Sequence, residues 1–106
     1  MKKAIYALAA GAILVSSCAV TQLDPAAQSV KTVSESAAKS CTFLDSVSEN
    51  NRNTLSKDPQ ADARARAYNR VAQLGGNSLL IKSTDTKVSP SGVGSIFTLQ
   101  GEAYRC

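Results

Sequence analysis

The sequence predicts a small α+β fold: a four-stranded, mainly antiparallel sheet with one packed helix, in the order β-β-α-β-β over residues 30–106. Three observations predict it. Residues 58–74 keep helical spacing between a capping pair and a glycine pair. Short apolar or alternating runs of strand length flank that stretch on both sides. A chain of 106 residues suits one small domain, and its three cysteines offer a covalent staple for a limited core.

Ala19 to Ser29 has no sustained apolar period and contains Asp24-Pro25, which predicts a short extended tether ahead of the domain. Val30-Lys31-Thr32-Val33 alternates apolar and polar, as a half-buried strand does. Ser34 to Ser40 is small and polar and predicts a turn. Cys41 to Val47 carries Phe43, Leu44 and Val47 and predicts the second strand, followed by an Asn- and Ser-rich loop through Lys57. Asp58 then caps free helical amides, and Pro59 is preorganised for the first helical position. Ala67, Tyr68, Val71, Ala72 and Leu74 share one helical face, while Asp62, Arg66 and Arg70 follow at intervals of four on the side expected to be solvated. The alanines at 61, 63, 65 and 67 allow close approach to a sheet. Gly75-Gly76 ends the helix through the left-handed conformation that glycine tolerates.

Leu79-Leu80-Ile81, within residues 78–83, predicts a central strand. Thr84 to Gly94 holds Pro90, Gly92 and Gly94 and reads as a mobile hairpin connection. In the last strand, Ser95 to Cys106, Phe97, Leu99 and Ala103 face one way, with Gly101 placed to allow a bend or bulge. Ile96, Thr98, Gln100, Glu102 and Tyr104 face the other.

The amino-terminal segment has a different character. Lys2 and Lys3 precede an uncharged, mostly apolar run from Ala4 to Val15, and small residues lead into Cys18. That order is a secretory signal peptide over residues 1–17, because an apolar run of about 12 residues is too short to span a bilayer. Val15-Ser16-Ser17-Cys18 resembles the bacterial lipoprotein box. The resemblance implies cleavage before Cys18 and lipidation there, by a diacylglyceryl thioether and an amine-linked acyl chain such as palmitate. Residues 18–29 then form a lipidated tether, and Ala19 in place of Asp implies an outer-membrane location facing the periplasm. An ordinary secretory signal without lipid is the rival reading.

Loss of Lys2 and Lys3 with the leader reduces twelve basic residues to ten against eight acidic ones, a balance that gives no reason to expect nucleic-acid binding. With Cys18 assigned to lipid, Cys41 and Cys106 remain, and an oxidising envelope favours a structural disulfide between them. A redox pair normally shows Cys-x-x-Cys spacing, and a metal site needs clustered ligands; the chain has neither the spacing nor any histidine. A Ser-His-Asp triad is therefore impossible, and the carboxylates show no recognisable acid–base spacing. Ser36-Ala37-Ala38-Lys39 matches Ser-x-x-Lys, but the Lys-Thr-Gly element that should accompany it is missing. Gly75-Gly76-Asn77 follows a helix, whereas a phosphate loop precedes one. Arg64, Arg66 and Arg70 could meet lipid phosphates or an acidic partner, but a solvated helix face is the favoured reading. Asn69 is expected to bond to loop backbone rather than to a ligand. No catalytic residue, cofactor or metal is expected, and no ligand-binding residue is assigned.

Residues 67–77, Ala-Tyr-Asn-Arg-Val-Ala-Gln-Leu-Gly-Gly-Asn, lead into Leu79-Leu80-Ile81, and the chain closes on Gly101-Glu102-Ala103-Tyr104-Arg105-Cys106. With Cys41 before Phe43-Leu44 and the lipoprotein-type leader, this pattern resembles the domain-of-unknown-function family 4156, small lipoproteins of Gram-negative bacteria. It is more distantly similar to the periplasmic domain of the Rcs envelope-stress sensor lipoproteins, which carry two disulfides and a long proline-rich basic tether that this chain lacks. The resemblance implies a non-enzymatic envelope lipoprotein that binds or senses a partner, such as an envelope protein or peptidoglycan. A small-ligand carrier or unrecognised envelope enzyme, and a structural accessory, are the alternatives.

Overall fold

A computed structural model of the chain describes residues 22–106. Six elements follow a 3-10 turn at Pro25–Ser29: β1 (Lys31–Thr32), α1 (Glu35–Ala38), β2 (Thr42–Asn50), α2 (Pro59–Gln73), β3 (Ser78–Val88) and β4 (Ser95–Arg105). The strands form one mixed sheet in the order β1-β3-β4-β2. β3 and β4 make an antiparallel hairpin running from Ser78↔Tyr104 to Val88↔Ser95. β2 adds antiparallel to β4, and β1 adds parallel to β3 through Lys31↔Ser78 and Thr32↔Leu79. The sequence-predicted small α+β fold, with β3 in the sheet interior, is the observed one.

α2 lies on one face of the sheet, and the core forms between them. Val47, Leu79, Phe97, Leu99 and Ala103 come from the strands, and Ala63, Ala67 and Val71 come from the helix. Ala63 and Ala67 are completely buried, so the small side chains do bring the helix close. Leu79 and Leu99 are the largest fully buried side chains, each contributing about 1.5–3 kcal/mol by burial. The helix ends follow the sequence reading. Asp58 Oδ1 accepts from Ala61 N at 3.1 Å, with Pro59 as the first helical residue. Gly75 has φ +84°; its amide donates to Ala72 O, and that of Gly76 donates to Val71 O, a Schellman closure. Gly101 faces a bulge in β3 between Ile81 and Ser83, and a Cβ there would strike the Leu80 carbonyl oxygen.

Four expectations are corrected. Residues 34–40 are not only a turn: Ser34 Oγ accepts from Ala37 N at 3.2 Å, which caps α1, and Ala38 buries itself beneath it. β2 runs on to Asn50, into the loop expected over Ser48 to Lys57, and β3 runs to Val88, into the mobile connection expected over Thr84 to Gly94. The β4 ladder supplies backbone partners there, so alternating Thr and Val residues extend a strand even where most side chains face solvent. Residues 22–29 are docked rather than extended. Ala27 is 1% exposed, and Asn69 holds the segment by accepting from Asp24 N and donating through Nδ2 to Gln22 O, both at 2.8 Å. The preference for Asn69 as a backbone partner is thereby met. Asp62, placed by its sequence spacing on a solvated face, is 1% exposed. It lies in the first turn of α2, where the helix dipole favours a carboxylate, with Arg66 Nε 4.0 Å away.

Candidate functional site

The bridge forms as expected: Cys41 and Cys106 are disulfide-bonded with their Cα atoms 4.5 Å apart. It ties the approach to β2 to the chain end, and Asn77 supports the same point. Asn77 Nδ2 donates to Cys106 O at 3.0 Å, and Asn77 Oδ1 accepts from Cys106 N at 2.9 Å. Cys18 and residues 1–17, the segment expected from the sequence to be a signal peptide, lie outside the described residues. Ser36 Oγ sits 3.2 Å from Ser34 Oγ within the capped turn of α1, and Gly75-Gly76 serves as the helix stop. Among the described residues no group of three or more His, Cys, Asp or Glu converges on a metal-sized point, and no helix is long and apolar enough to cross a membrane.

Two surfaces carry organised polar chemistry. The first is the sheet face away from α2. Alternation along β4 turns Gln100, Glu102 and Tyr104 to this side, and the cross-strand register adds Ser46, Ser48 and Phe43 from β2. Lys82, at the β3 bulge, reaches Glu35 of α1 with a 2.8 Å Nζ–Oε2 contact. Tyr104 Oη donates to Glu102 Oε1 at 2.8 Å, and the Tyr104 ring meets Phe43 edge to face at 5.7 Å. The hydrogen bond from Lys82, reinforced by its charge, holds the Glu35 carboxyl below the usual carboxylate range. The same bond pushes Lys82 up, and donation to Glu102 pushes the Tyr104 phenol up. These shifts keep each group in its ordinary charge state near neutral pH. The face thus presents charges and hydroxyls linked by one ion pair and one side-chain hydrogen bond.

The second surface lies between α2 and the end of β2. Glu49, Arg52, Arg66, Asn69, Arg70 and Gln73 line a concavity of about 210 Å³. The α2 residues are spaced i, i+3, i+4 and i+7, one stripe of the helix. Arg52 joins them because the chain turns sharply after β2. Arg52 takes φ +60°, its amide donates to Asn50 Oδ1 at 2.7 Å, and fully buried Asn51 anchors the turn. Asn51 Nδ2 donates to Asn53 O and Ser95 O, and its Oδ1 accepts from Phe97 N at 2.9 Å. Glu49 contacts Arg52 at 3.6 Å. Arg66 Nε is buried with no hydrogen-bond acceptor among the described residues, its nearest carboxylate oxygen being that of Asp62 at 4.0 Å. Three arginines thus line one hollow with a single acidic residue, Glu49.

Sequence spacing identified Arg66 and Arg70 but grouped them with Arg64, which is exposed and does not line the hollow. Arg52 was not identified: it is remote in sequence, and only the turn fixed by Asn51 brings it near. The run Asn50-Asn51-Arg52-Asn53 marks a turn in the sequence, but nothing in it says where that turn points.

A family model described as "Domain of unknown function (DUF4156)" matches residues 21–106. No curated protein matches the chain.

Proposed function

The chain belongs to the DUF4156 family, and from that premise we propose that it is a non-enzymatic outer-membrane lipoprotein whose small periplasmic domain binds or senses an envelope partner. The observation that carries the reading is the leader, in which Lys2-Lys3, a short apolar run and Val15-Ser16-Ser17 precede Cys18. Two acyl attachments at that cysteine hold a chain stably at a bilayer, which one attachment does only weakly. The disulfide between Cys41 and Cys106 is consistent with an oxidising compartment.

The domain supports a binding role through its two polar surfaces. The sheet face offers Phe43 and Tyr104 beside ordered charges, a mixture common at protein interfaces. Placing a photo-crosslinking residue at Ser48, on that face and exposed, tests the reading in intact cells. One dominant envelope adduct, lost in Cys18→Ala, is the expected result. A diffuse adduct pattern, unchanged by Cys18→Ala, would overturn it in favour of a structural accessory.

A further inference from the structure

We infer that the Arg52–Arg66–Arg70 hollow is a phosphate-binding site and that the membrane holding the lipid anchor supplies the phosphate, as an anionic headgroup. The inference rests on the lipoprotein reading for its source of phosphate, but not for the site itself.

Like charges four apart on a helix repel, and Arg66 and Arg70 are so placed. Arg52 brings a third positive charge to them from another element while holding a left-handed backbone uncommon for a non-glycine residue. The acidic groups at hand are few: Glu49 faces Arg52, and Asp62 lies beside Arg66. Arg66 Nε is a buried donor with no acceptor within hydrogen-bonding distance. A tetrahedral anion with several acceptor oxygens suits three arginines lining one hollow, because guanidinium forks bind phosphate in paired, charge-assisted hydrogen bonds. The hollow of about 210 Å³ is large enough for a phosphate group.

The source follows from Asn69. It lines the hollow and also binds the backbone of Gln22 and Asp24. Gln22 is therefore fixed at the rim, and only three residues lie between it and Cys18. The four Cα-to-Cα steps from Cys18 to Gln22 span at most about 14 Å. An acylated Cys18 consequently keeps the three arginines close to the membrane surface, where an anionic headgroup can enter the hollow directly.

The test uses protein purified from cells in a neutral maltoside detergent, with the arginine Nε–H signals followed by NMR. Inorganic phosphate should shift Arg66 and Arg70 saturably, while chloride at matched ionic strength should not. Arg64, on the same helix but outside the hollow, is the internal control. Mixed micelles containing phosphatidylglycerol should shift the same two signals. Arg70→Gln should weaken both responses about tenfold, and it leaves the Asp62–Arg66 contact in place. No response to phosphate, or parallel shifts of Arg64, would overturn the site. A phosphate response without a phosphatidylglycerol response would overturn the membrane source. Failure of the lipoprotein reading shows separately, as an intact mass without acyl chains.

Discussion

Replacing Asn69 by Ala removes a side chain that fastens Gln22 and Asp24 to α2 as both donor and acceptor. Two hydrogen bonds of 2.8 Å are lost, one accepted from Asp24 N and one donated to Gln22 O. Each contributes about 1 kcal/mol net. Both backbone partners belong to exposed residues and regain water, so no buried group is orphaned and the cost stays near that sum. Loosening the segment also relaxes Ala27, which is packed in the core at 1% exposure. The expected loss is about 2 kcal/mol, equivalent to about 8–16 °C in Tm for a domain of this size. Hydrogen exchange should localise it: the amides of Asp24, Ala27 and Val30 lose protection first, because Ala27 N and Val30 N donate within the 3-10 turn. Asn69→Asp keeps the acceptor for Asp24 N and loses the donor to Gln22 O, so its protection of Asp24 should be intermediate. A wild-type denaturant midpoint with unchanged protection at Asp24 and Ala27 in Asn69→Ala would refute the reasoning.

Three further outcomes are expected. Replacing Cys106 by Ser opens a loop with a sequence separation of 65, and the chain-entropy model assigns such a link about 4 kcal/mol. A midpoint shift of about 2–4 kcal/mol is expected, and two free thiols at 41 and 106 in envelope-purified protein would contradict the pairing. Gly75→Val should cost about 1 kcal/mol or more, from its φ of +84° alone since no neighbour crowds a Cβ there; an unchanged urea midpoint would contradict the cap. The Glu35 carboxyl is held low by Lys82, so the pair's contribution is present above the ordinary carboxylate range and fades as pH falls through the lowered Glu35 value. Lys82→Met should raise the Glu35 titration midpoint measured by side-chain NMR, and an unmoved midpoint would contradict the contact.

The elements legible in the sequence were those with a local cause. Asp58-Pro59 and Gly75-Gly76 bound α2 through short-range hydrogen bonds, and Leu79-Leu80-Ile81 announced a buried strand by composition. The alternation of Phe97, Leu99 and Ala103 likewise gave the inner face of β4. Elements with a tertiary cause were not legible. The outer half of β3 is held by pairing with β4 rather than by burial, so its polar residues read as a connection. Residues 22–29 read as a tether because their partner, Asn69, lies 45 positions beyond Asp24 in the sequence. Asp62 showed the spacing of an exposed ion pair, and spacing alone does not tell which of two opposite faces of a helix carries the pair. In the basic hollow, two arginines share a visible helical stripe and the third arrives through a turn anchored by a buried asparagine. Half of such a site is therefore readable before the fold is known.

The anchor is the premise for everything proposed about place and partner, and one measurement addresses it. Membrane and soluble fractions of cells making the protein are each digested without reduction, and the amino-terminal peptide of the chain is weighed. The account predicts a chain beginning at Cys18 that carries the diacylglyceryl and amine-linked acyl masses, with residues 1–17 gone. A peptide that retains residues 1–17 with an unmodified Cys18 thiol, or a cleaved chain without acyl mass in the soluble fraction, would contradict it.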